Sequence, residues 1–120
     1  MDGEWTRNSV MGLVIQRLYF GRRPSEPEMA SNASVLKRLA TKGVPWDRLA
    51  RAVEGLALRR DRGELGKIER SDPVSLRWLV DKDQTLNQVA VCEDAYYRLQ
   101  PKKAGNLMRD IMARMAEGNQ

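Results

Sequence analysis

Residues 44–63, VPWDRLARAVEGLALRRDRG, decide how this chain reads, because they form one helix with two chemically different sides. Stepped at 100° per residue, Leu49, Val53 and Leu56 cluster on one side, and Arg48, Arg51, Arg59 and Arg62 fall within about 60° of one line on the other. Arg60 lands on the apolar side, where its charge must snorkel or pair. Ala52 and Gly55 sit on the arginine line. A glycine inside a helix costs about 1 kcal/mol relative to alanine, so Gly55 marks a place where something comes close to this backbone. A phosphate chain fits that description. So does a neighbouring helix of the same protein, in which case Arg59 and Arg62 only rim the contact. A third reading is a plain solvated face, with Asp47 and Glu54 as ion-pair partners.

The flanks of this helix define its neighbours. Gly43 allows the left-handed turn that closes a preceding helix, Pro45 suits a first turn, and Asp47 complements the positive helix end. The preceding helix begins after GRRPSEPE, where Ser25 and Glu28 stand at capping-box spacing, and runs to about residue 42 with Met29, Ala33, Leu36 and Ala40 inward. Together the two helices make a tight helical hairpin or a helix-turn-helix. Upstream, residues 8–20 carry Val10, Leu13, Val14, Ile15 and Leu18 as a broad helical stripe covered at its start by Trp5 and stopped by Gly21. Downstream, GELGKIERSD reads as a loop with room for a short extended piece at 67–69. Asp72 and Pro73 then open a short helix with Leu76 and Leu79 or Val80 inward. A helix at about 84–99 places Val89, Cys92, Tyr96 and Leu99 on one side, and Pro101 ends it. Trp46 and Trp78 read as core anchors, with Tyr96 and Tyr97 as core and rim.

The expected fold is therefore all-α, a compact bundle of five or six helices containing the hairpin or helix-turn-helix-like pair. Residues 1–100 form the core domain. Residues 101–120 form an amphipathic C-terminal helix, docked or partner-binding, with Leu107, Met108, Ile111, Met112 and Met115 on one side. Methionine fills irregular core gaps and also suits an adaptable partner surface, so Met108, Ile111, Met112 and Met115 are candidate partner-binding residues.

Composition excludes more than it selects. With no histidine and one cysteine, Cys92, the chain has no intrachain disulfide, no Ser/His/Asp or Cys/His arrangement, and none of the usual transition-metal ligand sets. Phosphate-binding loops of the GxxxxGK[ST] or GxGxxG type are absent, and the carboxylates are scattered. The expectation is a protein that is not an enzyme and needs no cofactor or metal. The apolar run VMGLVIQRLYF is broken by Gln16 and Arg17 well short of the roughly 20 residues that span a bilayer. The N-terminus MDGEWTR lacks a secretory signal pattern, so a cytoplasmic protein is expected. A net charge of +5 favours an anionic partner. The candidate nucleic-acid-binding residues are Arg48, Arg51, Arg59 and Arg62, aided by Arg22 and Arg23 in the linker.

LKRLATKGVPWDRLARAV places Leu39, Gly43, Val44 and Leu49 at the spacings of a DNA-reading helix-turn-helix. The positions that would reach bases, near Trp46, Asp47, Ala50, Arg51 and Glu54, include two carboxylates, which favours nonspecific or structure-dependent binding over major-groove reading. Over residues 35–80, VLKRLATKGVPWDRLARAVEGLALRRDRG followed by SLRWLV resembles the small helical domains of bacteriophage replisome organisers and helicase loaders of the DnaD-like group, with Trp78 at the aromatic position of the short helix. That resemblance implies binding to DNA, more than RNA, and to a replication or transcription protein, without catalysis by this chain. The alternative is an adaptor or inhibitor that binds a host enzyme through its helical surface.

Overall fold

A computed structural model of the protein describes residues 4–80 and 86–99. It is all-helical, with four α-helices among the described residues: α1 (Arg7–Leu13), α2 (Glu26–Thr41), α3 (Trp46–Asp61) and α4 (Asn87–Leu99). A π turn (Val14–Leu18) extends α1, and a 3-10 turn (Leu76–Leu79) lies between α3 and α4. The amphipathic segment anticipated at 101–120, with Met108, Ile111, Met112 and Met115, lies outside the described residues.

The π turn follows from the spacing of the core residues. Val10, Val14 and Leu18 stand four apart and are all fully buried. On a regular α-helix of 3.6 residues per turn, each step of four drifts by about 40°, and a wider turn between Val14 and Leu18 returns the stripe to the core. Thr6 caps α1 reciprocally with Ser9. Ser25 caps α2 by accepting from the Glu28 backbone N–H, but its hydroxyl donates to the Glu28 carboxylate, so the box is only half formed. The inward face of α2 is Asn32, Val35, Leu36 and Leu39, rotated from the Met29–Ala33–Leu36–Ala40 stripe expected. Two stripes sharing Leu36 were available, and the choice is made by Asn32, which is fully buried and fully bonded. Its amide nitrogen donates to the Tyr19 hydroxyl (2.9 Å) and the Glu28 carbonyl (2.7 Å), and its amide oxygen accepts from the Leu76 N–H (2.8 Å). One side chain thus ties α2 to the end of the π turn and to the 3-10 turn.

Gly43, at φ +93°, closes α2 as expected. The two helices it joins are not a packed pair, however. α3 makes its most extensive contact with α4 and also packs on α1, the π turn and the 3-10 turn, and α2 packs on the 3-10 turn and α1. α3 is the central strut: nine of its sixteen residues are buried, and they include both the apolar side and Ala52 and Gly55 on the arginine side. Residues 67–69 form no strand. The short helix starts at Leu76, capped by Ser75, and the Asp72 carboxylate instead accepts from the Glu69 N–H within the loop. Leu76 and Leu79 are inward, but Trp78, expected as an anchor, is 40% exposed, while Trp46 packs against the core. In a four-residue 3-10 turn, eclipsed positions i and i+3 take the core and leave the residue between them outside.

Candidate nucleic-acid interface

The arginine line of α3 is occupied, and the occupant is α4. At Gly55 the two backbones touch: a Cβ built there would collide with the Cys92 carbonyl oxygen, stand 2.6 Å from the Cys92 carbonyl carbon and 3.0 Å from the Tyr96 nitrogen. The flanking arginines hold α4 down. Arg48 Nε donates to one oxygen of Glu93 (2.8 Å) and Arg51 Nε to the other (2.9 Å), so a single half-buried carboxylate is held by two guanidinium groups. Arg51 also pairs with Asp47 and lies 6.0 Å from the Tyr97 ring centre. Its burial would favour the neutral form, yet Glu93 and Asp47 more than offset this and its pKa is raised. Arg59 donates to the Cys92 sulfur (3.5 Å) and stands 3.8 Å from Glu64, which Arg98 also binds. The hydrogen bonds from Arg98 hold the Glu64 carboxyl below its usual range. Of the four arginines on the line, Arg48, Arg51 and Arg59 thus serve the α3–α4 contact, and Arg62, at the end of α3, is exposed.

The positions a reading helix would turn toward bases are also engaged. Ala50 is fully buried, and both carboxylate oxygens of Glu54 accept from Arg17 Nε (2.9 and 3.1 Å). Charge-assisted bonds of this kind are short and orienting, and here they are spent within the domain.

Cys92 lies at the centre of the contact. Burial pushes its thiol pKa up, and the neighbouring Arg59 pulls only part of the way back. Because the thiolate is the reacting species, native Cys92 is expected to react with a neutral-pH thiol reagent roughly 100-fold or more slowly than the denatured chain. A native rate equal to that of a free thiol would show that α4 does not stay on α3.

At the C-terminal end of α3 a buried arginine meets Phe20, the residue that precedes Gly21, Arg22 and Arg23 in the chain. Arg60 is the organiser. Although only 1% exposed, its guanidinium makes four hydrogen bonds: Nη2 donates to the Arg17 carbonyl (3.0 Å), Nη1 to the Leu18 and Asp72 carbonyls (3.3 Å each), and Nε to the Asp61 carboxylate (3.2 Å). Its Cζ sits 4.4 Å from the centre of the Phe20 ring. These bonds pin the 17–20 segment and the residues around Asp72 to the end of α3. Phe20 itself has φ +56°, with Gly21 following at +81°. A phenylalanine in the left-handed region is strained, on the order of 1–3 kcal/mol, and such residues concentrate at functional turns. The residue is 45% exposed. Arg22 follows it in the chain and is exposed with no ion pair among the described residues, and Arg23 makes only a 3.8 Å contact with Glu26 between two exposed side chains. Arg62, two residues beyond Arg60 and on the opposite side of the helix, is exposed, and its charge helps hold the Glu64 carboxyl down. Asp61 is engaged by Arg60 and Asp72 by the Glu69 N–H, while the Glu69 and Glu26 side chains are exposed.

Arg22 and Arg23 are therefore exposed beside the Phe20 turn, Arg62 is exposed at the C-terminal end of α3, and Arg48, Arg51 and Arg59 lie along a packed interface. Phe20 was missed by sequence reasoning, since nothing in YFGRR announces a left-handed phenylalanine. Among the described residues no group of three or more His, Cys, Asp or Glu could hold a metal ion, and no helix is long and apolar enough to cross a membrane. No protein-family model, curated protein or solved structure matches the chain, so any functional reading rests on these residues themselves.

Proposed function

We propose that the protein is a non-catalytic accessory protein that binds nucleic acid, DNA before RNA, in replication or transcription of the phage type. Its contacts are the phosphates, and they are made by Arg22, Arg23 and Arg62. The observation that carries this reading is the pair of exposed guanidinium groups, Arg22 and Arg23, that follows the strained Phe20–Gly21 turn, together with Arg62, exposed at the end of α3. Arg48, Arg51 and Arg59 act in the same reading as the fastening of α4, not as phosphate ligands.

The test is fluorescence anisotropy with labelled single-stranded and duplex DNA at low and physiological salt. For duplex DNA, each neutralised phosphate contributes about 0.9 to the slope of log affinity against log salt. The triple variant Arg22→Ala, Arg23→Ala, Arg62→Ala is expected to lose binding at physiological salt and to flatten the slope by about 2 to 3 units. Absence of binding by the native protein at low salt, or a triple variant that binds as the native does, would overturn the reading.

A further inference from the structure

We infer that Phe20 is a stacking platform for an unpaired base, so that the nucleic acid taken beside it is single-stranded. The inference rests on the nucleic-acid reading above and adds the strandedness of the ligand. Arg60 lies over one side of the ring, 4.4 Å from its centre, and is itself held by three backbone carbonyls and Asp61. The ring is therefore fixed from behind by a buried cation, and yet Phe20 remains an exposed residue. Two consecutive left-handed residues make the turn, and only the second is glycine. An aromatic side chain has been kept at a position where its backbone conformation favours glycine or asparagine. Aromatic side chains beside a basic track are the means by which proteins hold single strands, because every base offers a π-face and the backbone supplies the charge. In a duplex those faces are stacked on one another and closed to a side chain projecting from a turn. Arg22 and Arg23, two and three residues on in the chain and both exposed, supply the cations that follow the ring.

The experiment compares a labelled single strand, the same strand with abasic residues in place of its bases, and the matched duplex, at one salt concentration. The proteins are the native chain, Phe20→Gly and Phe20→Trp. Glycine relieves the left-handed backbone as it removes the ring, so Phe20→Gly keeps the fold, which a thermal melt of each variant checks. Expected are tighter binding of the single strand than of the duplex, and a loss of roughly tenfold on the single strand in Phe20→Gly. Phe20→Trp retains the affinity, and the abasic strand binds the native protein as weakly as the full strand binds Phe20→Gly. The salt slope stays unchanged in Phe20→Gly, since the phosphate contacts remain. Equal binding of single strand and duplex with no effect of Phe20→Gly would overturn the inference and leave the phosphate reading standing. No binding of any strand would overturn both.

Discussion

A Gly55→Ala variant is expected to melt about 10 °C below the native protein, a loss of about 2 kcal/mol. The sign is the informative part. Alanine is the better helix former by about 1 kcal/mol, so at an open position in the middle of a sixteen-residue helix the substitution would stabilise the protein. Here the new methyl would meet the carbonyl group of Cys92, which is backbone and cannot rotate aside. α4 must move away, and the two Glu93 bonds from Arg48 and Arg51 lengthen with it. Calorimetry or a circular-dichroism melt decides the matter: an unchanged or raised melting temperature would mean that Gly55 is not a helix-packing contact. Had the glycine been there to admit a phosphate, alanine would strengthen the free protein and weaken only its complex.

Arg60→Met is expected to cost more, about 3–5 kcal/mol, a large part of the total for a domain of this size. Methionine keeps most of the volume and removes the charge and every donor. The carbonyls of Arg17 and Asp72 lose their Arg60 bonds, and Leu18 keeps only its bond from the Val74 N–H. Unpaired buried polar groups of this kind cost on the order of 1–3 kcal/mol each. Arg60→Lys is not expected to rescue, because a lysine point charge cannot reproduce a planar fork with several fixed donors. Chemical denaturation of both variants reads the effect, and near-native stability of Arg60→Met would show that the guanidinium is not what pins the 17–20 segment to α3. The same variant should loosen Phe20, whose ring rests on this group.

The outlines of both sites could be read from the sequence, but not their assignment. Periodicity located α3, its apolar side and the position of Arg60 among apolar residues, because a helical wheel depends only on the residues of one helix. The wheel also flagged Gly55 as a close approach. What it cannot supply is the identity of the approaching group, since α4 lies more than thirty residues away and its own pattern, Val89, Cys92 and Tyr96, says only that it is amphipathic. An arginine line pairing with Glu93 and one awaiting a phosphate look the same until the second helix is placed. The inner face of α2 was misassigned for a related reason: a buried asparagine earns its place through hydrogen bonds to Tyr19, Glu28 and Leu76, and hydropathy reads it as surface. Trp78 shows the converse, an aromatic residue that a very short 3-10 turn leaves outside. The Phe20 turn was beyond reach because a left-handed helix-end position is ordinarily glycine's, and here it falls on Phe20, closed by the local bond from the Gly21 N–H to the Ile15 carbonyl and backed by Arg60, forty residues away.

The division of the arginines into a fastening set and a binding set is most directly tested by following their side-chain Nε–H resonances in nitrogen-15-labelled protein while a single-stranded oligonucleotide is added. Arg48, Arg51 and Arg60, whose Nε–H groups already donate to carboxylates, are expected to be protected from exchange in the free protein and to stay where they are. Arg22, Arg23 and Arg62 should shift on titration. Movement of the Arg48 and Arg51 signals with those of Arg22 and Arg62 unaffected would contradict that division.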